Sequence, residues 1–464
     1  MPLSANNAEY RVEVSNALGG PVSASTVLQV SADVTPPVLL SALNLGRTVG
    51  SVVVVFSEPV EPVSATTAGN YSLDNGATIS EAVMGSKPGT VILKTSPLVA
   101  GTTYTLTVSN VKDASVAQHV IAPNSTATLD DQMFFWLGFD EGSSATATDA
   151  SGNGHNGTMA NGATAVFSGK IHGAAGFDGI DDHTVVSGTG FDDWTGGMTV
   201  AAWLRPANIA NWSRIIDFSN GAANDNILFA RSGTSSGITF EVYNGGVTGG
   251  KVTANGVIQL NHWQHFAATM DAAGFVKIYK DGVVIATGTT AVPNLVARAN
   301  NYVARSAWSG DGYYGGRMDD VRVYKRVLSD EEITAISGGD PSLPEVSLVA
   351  TIPTASEEGT VPGEITATRT GSTTGALTVN YLISGTAENG VDYVALPGSV
   401  TIPIGASTAA IAVTPIDDAV LDPVETVILT LTGDASYQAG ASESGTVTIL
   451  DRKSTRLNSS HRIR

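Results

Sequence analysis

Phe135-Trp136-Leu137-Gly138-Phe139-Asp140-Glu141-Gly142 opens the stretch from Met133 to Ile336 on which the reading of this chain turns. Gly316-Arg317-Met318-Asp319-Asp320-Val321-Arg322-Val323-Tyr324, then Leu328-Ser329-Asp330-Glu331-Glu332-Ile333, closes it. All six tryptophans fall inside. The flanking segments are short of aromatics, so a ligand pocket built from ring faces belongs here. Runs at 199–204, 214–218, 238–243, 265–270 and 276–279 alternate apolar and polar residues, the period of a half-buried strand. Lys280-Asp281-Gly282 predicts a tight hairpin turn. Ser329-Asp330-Glu331-Glu332 predicts a capped helix ahead of Ile333 and Ile336. Two sheets closed by one short helix, a jelly roll, is the expected architecture.

Working outward, 464 residues allow roughly three domains. Charged residues make up only 14 %, and 51 glycines sit among abundant Val, Thr, Ser and Ala, which suits short strands and tight turns. The expected class is all-β. A net charge of -19 opposes nucleic acid and anionic lipid, both of which need clustered Lys and Arg. The same acidity suits Ca²⁺, whose ligands are hard oxygens. With no cysteine there are no disulfides, so bound metal is a candidate cross-link for a secreted chain. No apolar run reaches the ~20 residues of a membrane helix, and no membrane insertion is expected.

Asp149-Ala150-Ser151-Gly152-Asn153-Gly154, Gly176-Phe177-Asp178-Gly179-Ile180-Asp181-Asp182, Trp203, Trp263-Gln264-His265, Tyr279-Lys280-Asp281-Gly282 and Asp319-Asp320-Val321 follow one another in a fixed order. On these residues the segment 129–340 resembles a bacterial laminin-G-like domain of the concanavalin A type. That resemblance implies the jelly roll; it leaves the ligand open, because members bind glycans, proteins or nothing known.

The flanks read as further sandwiches. Residues 1–33 give two strands, Tyr10 to Gly19 and Ser25 to Val30, with Tyr10 and Val12 placed as in the last two strands of an Ig-like domain. A lone hairpin is marginal in water, so the natural protein is expected to extend upstream. Asp33-Val34-Thr35-Pro36-Pro37 is a stiff linker. Residues 34–128, with Phe56-Ser57-Glu58-Pro59-Val60, Asn70-Tyr71-Ser72-Leu73 and Gly101-Thr102-Thr103-Tyr104, resemble bacterial surface Ig-like repeats; Glu58 reads as a turn carboxylate. Residues 341–451, with Glu357-Glu358-Gly359, Gly385 to Tyr393, Gly398 to Ile402, Asp417-Asp418 and Glu425, resemble a Calx-beta domain. From Asp451 onward the sequence resembles an in-frame translation of a sequencing adapter, and residues 452–464 are set aside as an artefactual tail. Removing its five Lys and Arg takes the net charge from -19 to -24.

The Calx-beta resemblance implies calcium held by Glu357, Asp392, Asp417, Asp418, Asp422, Glu425 and Asp451 from loops at one domain end. Asp422 stands where the family often has Glu, and Ala419 where a third Asp can occur. The laminin-G-like resemblance implies a second ion near Asp149, Asn153 and Asp319 or Asp320, although Asp-x-Ser-Gly-Asn-Gly equally suits Asx turns. Trp212, Trp308, Tyr313 and Tyr314 lie in Gly- and Asn-containing stretches where rings could stack on sugars, whereas Trp203 and Trp263 sit in strand patterns and read as core.

Catalysis is not expected. His262-x-x-His265 lacks the Glu and helix of a zinc protease, and no Gly-x-Ser-x-Gly elbow stands at a strand-to-helix turn. Asp140-Glu141 and Asp319-Asp320 are adjacent pairs that a strand points to opposite faces, unlike a glycosidase pair. The expectation is a fragment of a large secreted or cell-surface bacterial protein, with Ca²⁺ as cofactor and a polysaccharide, a cell-surface glycan or a protein as partner. The alternative is an accessory binding region of a polysaccharide-degrading enzyme.

Overall fold

The computed structural model describes residues 9–16, 19–27, 32–45, 50–85, 87–99, 101–130, 132–142, 144–166, 169–338, 343–417, 423–434 and 436–450. The side chains of the first hairpin, Glu9–Asn16 against Gly19–Val27, lie outside the description, and so do Asp418, Asp422, Asp451 and the tail 452–464. The chain is all-β, a string of β-sandwiches. No described helix is long and apolar enough to cross a membrane.

The first sandwich packs the sheet Leu39–Asn44, Gly50–Phe56, Thr90–Thr95, Ile79–Met84 on the sheet Tyr71–Leu73, Thr105–Val108, Ser125–Thr128. Val52, Val54, Val91, Leu93, Leu106 and Val108 fill the space between them. A short turn of helix, Pro62–Ala65, is capped by Glu61, whose carboxylate accepts from Val63 and Ser64 backbone N–H groups.

Among the described residues the central sandwich has two eight-stranded sheets. One runs Thr164–Val166, Ala174–Asp178, Gly315–Tyr324, Met198–Pro206, Gln264–Met270, Phe275–Lys280, Val283–Thr289, with Met133–Leu137 also on Gly315–Tyr324. The other runs Thr146–Ala147, Gly157–Ala160, His183–Val186, Asn300–Val303, Arg214–Ser219, Ile227–Arg231, Ile238–Asn244, Val247–Ala254. Period-two alternation sets the packing: Met198, Val200, Ala202 and Leu204 enter the core between the sheets with Phe218, Phe229, Phe240 and Phe266. The odd-numbered neighbours of that strand face outward, yet Ala201 is buried too. It lies under the helix Asp330–Ile336 and under Leu43, Leu45 and Val53 of the first sandwich, in one cluster with Tyr279 and Tyr324. The helix begins with a complete capping box between Ser329 and Glu332. Asp281 and Gly282, at φ 49° and 78°, form the hairpin turn that the Asp-Gly pair requires.

The last sandwich packs Thr408–Val413, Gly363–Arg369, Glu345–Ile352, Gln438–Ala439 on Thr354–Ser356, Ser444–Leu450, Glu425–Leu431, Leu377–Gly385, Ser399–Ile402. Half-buried Trp263 of the central sandwich packs against its core. Lys170 Nζ reaches Glu345 at 2.7 Å and the Ala439 carbonyl at 2.6 Å. Arg205 and Arg317 grip Glu443 at 3.1 and 3.3 Å.

Candidate functional site

Trp212 and Trp308 are brought together by Arg214. Trp212 sits at φ 51°, just ahead of the strand Arg214–Ser219, with its N–H on the Gly233 carbonyl at 3.0 Å. Arg214, only 2 % exposed, donates to Asp217 at 3.2 Å, to Asp311 at 2.8 Å and to the Trp212 carbonyl. Asp311 also accepts from Ser306 Oγ at 2.7 Å, and that hydroxyl receives the Trp308 N–H at 3.0 Å. Asp217 accepts the Ala307 N–H at 3.1 Å. The loop carrying Trp308 is thus bolted to the strand that follows Trp212.

The guanidinium lies 5.2 Å from the Trp308 ring centre and 6.0 Å from that of Trp212, while Lys251 Nζ stands 5.1 Å from Trp212. Trp308 is tilted against Tyr243, centroids 5.4 Å apart. Both tryptophans are half-buried. Burial pushes the Asp217 carboxyl upward and Arg214 opposes that rise.

Tyr313 and Tyr314 part company. Tyr313 is half-buried beside His183, rings 6.0 Å apart. His183 in turn meets Arg305 at 3.0 Å and the edge of Tyr302. Tyr314 is 5 % exposed, in the core against Phe177, with its hydroxyl on the Arg317 carbonyl at 3.0 Å.

In the last sandwich the described acids gather at one end. Ser356 pairs with Leu450, and Glu357 N–H donates to the Leu450 carbonyl at 3.1 Å. Glu425 pairs with Ile449 in the same sheet. Thr426 N–H donates to Thr386 Oγ1 at 2.9 Å, bringing in the loop whose Asp392 carboxylate accepts from Glu388 N–H at 2.6 Å. The Asp392 carbonyl takes Ile416 N–H at 2.9 Å, with Asp417 next along. Glu357 is buried, at 5 % exposure, Asp392 is half-buried and Asp417 is exposed. Separate segments therefore place acids of the hard-oxygen kind that Ca²⁺ takes near one end, although among the described residues they do not form a group with oxygens within 4.8 Å of one another.

Three family models match the chain in sequence order: a bacterial Ig-like domain over 33–130, the concanavalin A-like lectin/glucanases superfamily over 177–334, and a Calx-beta domain over 345–453. The chain carries an Ig-like, a laminin-G-like and a Calx-beta domain, in that order. No curated protein matches it. Among solved structures it is similar to domain 4 of an extracellular arabinanase from Geobacillus stearothermophilus, solved with arabinotriose, at 20 % identity and TM-score 0.36 over 44 % of this chain and 98 % of that one. It is also similar to CBM40 of the Ruminococcus gnavus IT-sialidase, bound to α2,3-sialyllactose, at 17 % identity and TM-score 0.28 over 31 % and 82 %. The botulinum neurotoxin serotype D binding domain aligns at 11 % identity and TM-score 0.37 over 66 % and 73 %. No ligand is carried over from these likenesses.

Within the laminin-G-like domain the Asp149 carboxylate is fully engaged. It accepts Trp136 N–H at 3.0 Å, Ser151 N–H at 3.0 Å, Ser151 Oγ at 2.6 Å and His155 N–H at 3.0 Å. Asn153 Nδ2 donates to the Met133 and Phe134 carbonyls. These bonds form an Asx turn that staples the loop to the strand Met133–Leu137. Asp319, fully buried, accepts Ile171 N–H at 2.8 Å, and Asp320 pairs with Arg322 and the Trp136 indole N–H. Asp149 and Asp319 are thus held by different partners.

Two other acid groups escaped the sequence reading: Asp178, Asp181 and Asp182, and Asp33, Glu58 and Asp113, each with oxygens within 4.8 Å of one another. Burial, then Asp178 and Asp181, raises the Asp182 carboxyl; burial, then Asp33, raises Glu58. Backbone N–H bonds from Ile180 to Asp178 and from Asp178 to Asp182 explain the first as a turn.

Proposed function

We propose that this chain is a non-catalytic binding region of an extracellular or cell-surface protein, whose laminin-G-like domain holds a glycan on the Trp212 and Trp308 faces. The observation that carries the reading is the pair of half-buried tryptophans fixed around Arg214. Rings held rigidly at a loop edge offer flat apolar faces to a sugar at little ordering cost, and the carboxylates of Asp217 and Asp311 keep Arg214 in place. The working units are 34–128, 129–340 and 341–451.

Calcium belongs to the same proposal. Glu357, Asp392, Asp417 and Glu425 would hold it, joined by Asp418, Asp422 and Asp451, which lie outside the described residues. The ion would supply the positive charge that lets carboxylates from separate segments stay close without repelling one another. Its role is stiffness: a cross-linked domain end presents the neighbouring module at a fixed angle.

A glycan array probed with the full chain tests the binding half; silence across plant, algal and host glycans removes it. Scanning calorimetry with and without EDTA tests the metal half; a Calx-beta transition that does not move removes that.

A further inference from the structure

The joint between the laminin-G-like and Calx-beta domains encloses a cleft of about 540 Å³. That volume falls within the ~300–1,000 Å³ of small-molecule sites, which form preferentially between domains. One wall carries half-buried Trp263, exposed His262 and Asn261, and nearly buried Trp203; the other carries Ser442 and Ser444 of the Calx-beta domain. The indole N–H groups of Trp203 and Trp263 have no hydrogen-bond partner among the described residues. Buried donors left unpaired are costly, and an acceptor oxygen from an occupant would relieve that cost.

The charges around the cleft cancel. Lys170 pairs with Glu345, Arg205 and Arg317 share Glu443, and Asp281, whose carboxylate accepts the His265 N–H at 2.9 Å, supplies the third negative charge, so three cations stand against three anions. Lys170 also covers the Trp203 ring at 5.1 Å, so half-buried Trp263, which packs in part on the Calx-beta core, is the aromatic side chain left to line the cleft. An aromatic side chain, the hydroxyl and amide groups of Ser442, Ser444 and Asn261 and no net charge together describe the chemistry that recognises a neutral sugar.

We propose that this cleft is a second carbohydrate site, which takes a neutral oligosaccharide with one ring stacked on Trp263. It is separate from the Trp212 and Trp308 platform and does not depend on it. Because its walls come from two domains, an occupant also ties the domains together.

The test uses the full chain carrying Trp308→Ala, which strips the platform, and follows tryptophan fluorescence and calorimetric titration with cellotriose, xylotriose and chitotriose. At least one of the three is expected to bind. Ala441→Trp, which fills the cleft from an exposed position without deleting a contact, should then weaken that binding about tenfold or more, with an unchanged circular dichroism spectrum. Trp263→Ala should do the same. The proposal is overturned if the Trp308→Ala chain binds none of the three, or if binding survives Ala441→Trp. Failure of the platform reading looks different, since there Trp308→Ala leaves binding of the wild-type chain unchanged.

Discussion

The guanidinium of Arg322 lies 4.0 Å from the centre of the Trp136 ring and pairs with Asp320 at 2.8 Å, all three nearly sealed from solvent. The same side chain donates to the Asn44 carbonyl at 3.0 Å, so one residue of the closing strand also fastens the Ig-like domain. Its neighbours hold its pKa above the ordinary arginine value, Asp320 chief among them, although burial pulls the other way. Arg322→Ala strands the Asp320 carboxylate in a buried site. Loss of one partner of a buried pair destabilises by ~3–5 kcal/mol. Urea unfolding of the full chain, followed by tryptophan fluorescence, should show a loss of that size; a loss under ~1 kcal/mol would contradict the role given to Arg322.

Gly152 and Gly101 touch backbone to backbone across the Ig-like and laminin-G-like domains. A Cβ on Gly152 would stand 2.0 Å from Gly101 Cα, and both residues have positive φ, +81° and +75°. Gly154, at φ +85°, has open space around it. Gly154→Ala is therefore expected to cost only the ~1 kcal/mol of a left-handed non-glycine residue, while Gly152→Ala adds a clash that separates the domains. Limited proteolysis of residues 98–103 should accelerate in Gly152→Ala and not in Gly154→Ala. Equal rates in the two variants would count against the contact.

His265 makes stability depend on pH. It is 2 % exposed on a strand packed edge-on to Trp203, and burial, helped by Arg322, pulls its pKa down to about 3. The unfolded chain takes up a proton near the ordinary 6.5, whereas the folded chain waits until about 3. The unfolded state thus binds more protons between those values, and stability falls as pH drops through that window, by ~1 kcal/mol per pH unit. Asp130, raised to about 6 by burial, acts in the opposite sense between 3.8 and about 6. The comparison of wild type with His265→Gln removes that offset. The variant should lose stability less steeply from pH 6.5 to pH 4 in urea titrations; parallel slopes would contradict the assignment.

Much of the fold was legible because strand alternation, the Asp-Gly turn and the Ser329 capping box are local signals. What covers an outward face is not local. Ala201 reads as an ordinary strand residue, and nothing near it announces that Leu43 or the helix Asp330–Ile336 lies over that sheet. Trp263 similarly read as core, but it is half-buried and packs against the next domain. The site was legible in residue type and not in partnership: Trp212 and Trp308 stand 96 positions apart, and only Arg214, Asp217 and Asp311 reveal that they belong together.

Calcium should register in the Calx-beta domain alone. With free Ca²⁺ at about a hundred times Kd, a single site stabilises the folded domain by ~2.7 kcal/mol. Glu357→Gln with Asp392→Asn should abolish most of the EDTA-sensitive shift in that calorimetric transition and leave the laminin-G-like transition where it was. An equal shift in wild type and variant would place the ion elsewhere.

The most direct measurement of the central claim is titration of the wild-type, Trp212→Ala and Trp308→Ala full chains with the strongest hit from a glycan array. Each substitution is expected to weaken binding about tenfold or more, equivalent to ~1.4 kcal/mol, while the melting profile stays unchanged. Wild-type affinity in both variants would contradict the claim that this pair of indoles is the glycan platform.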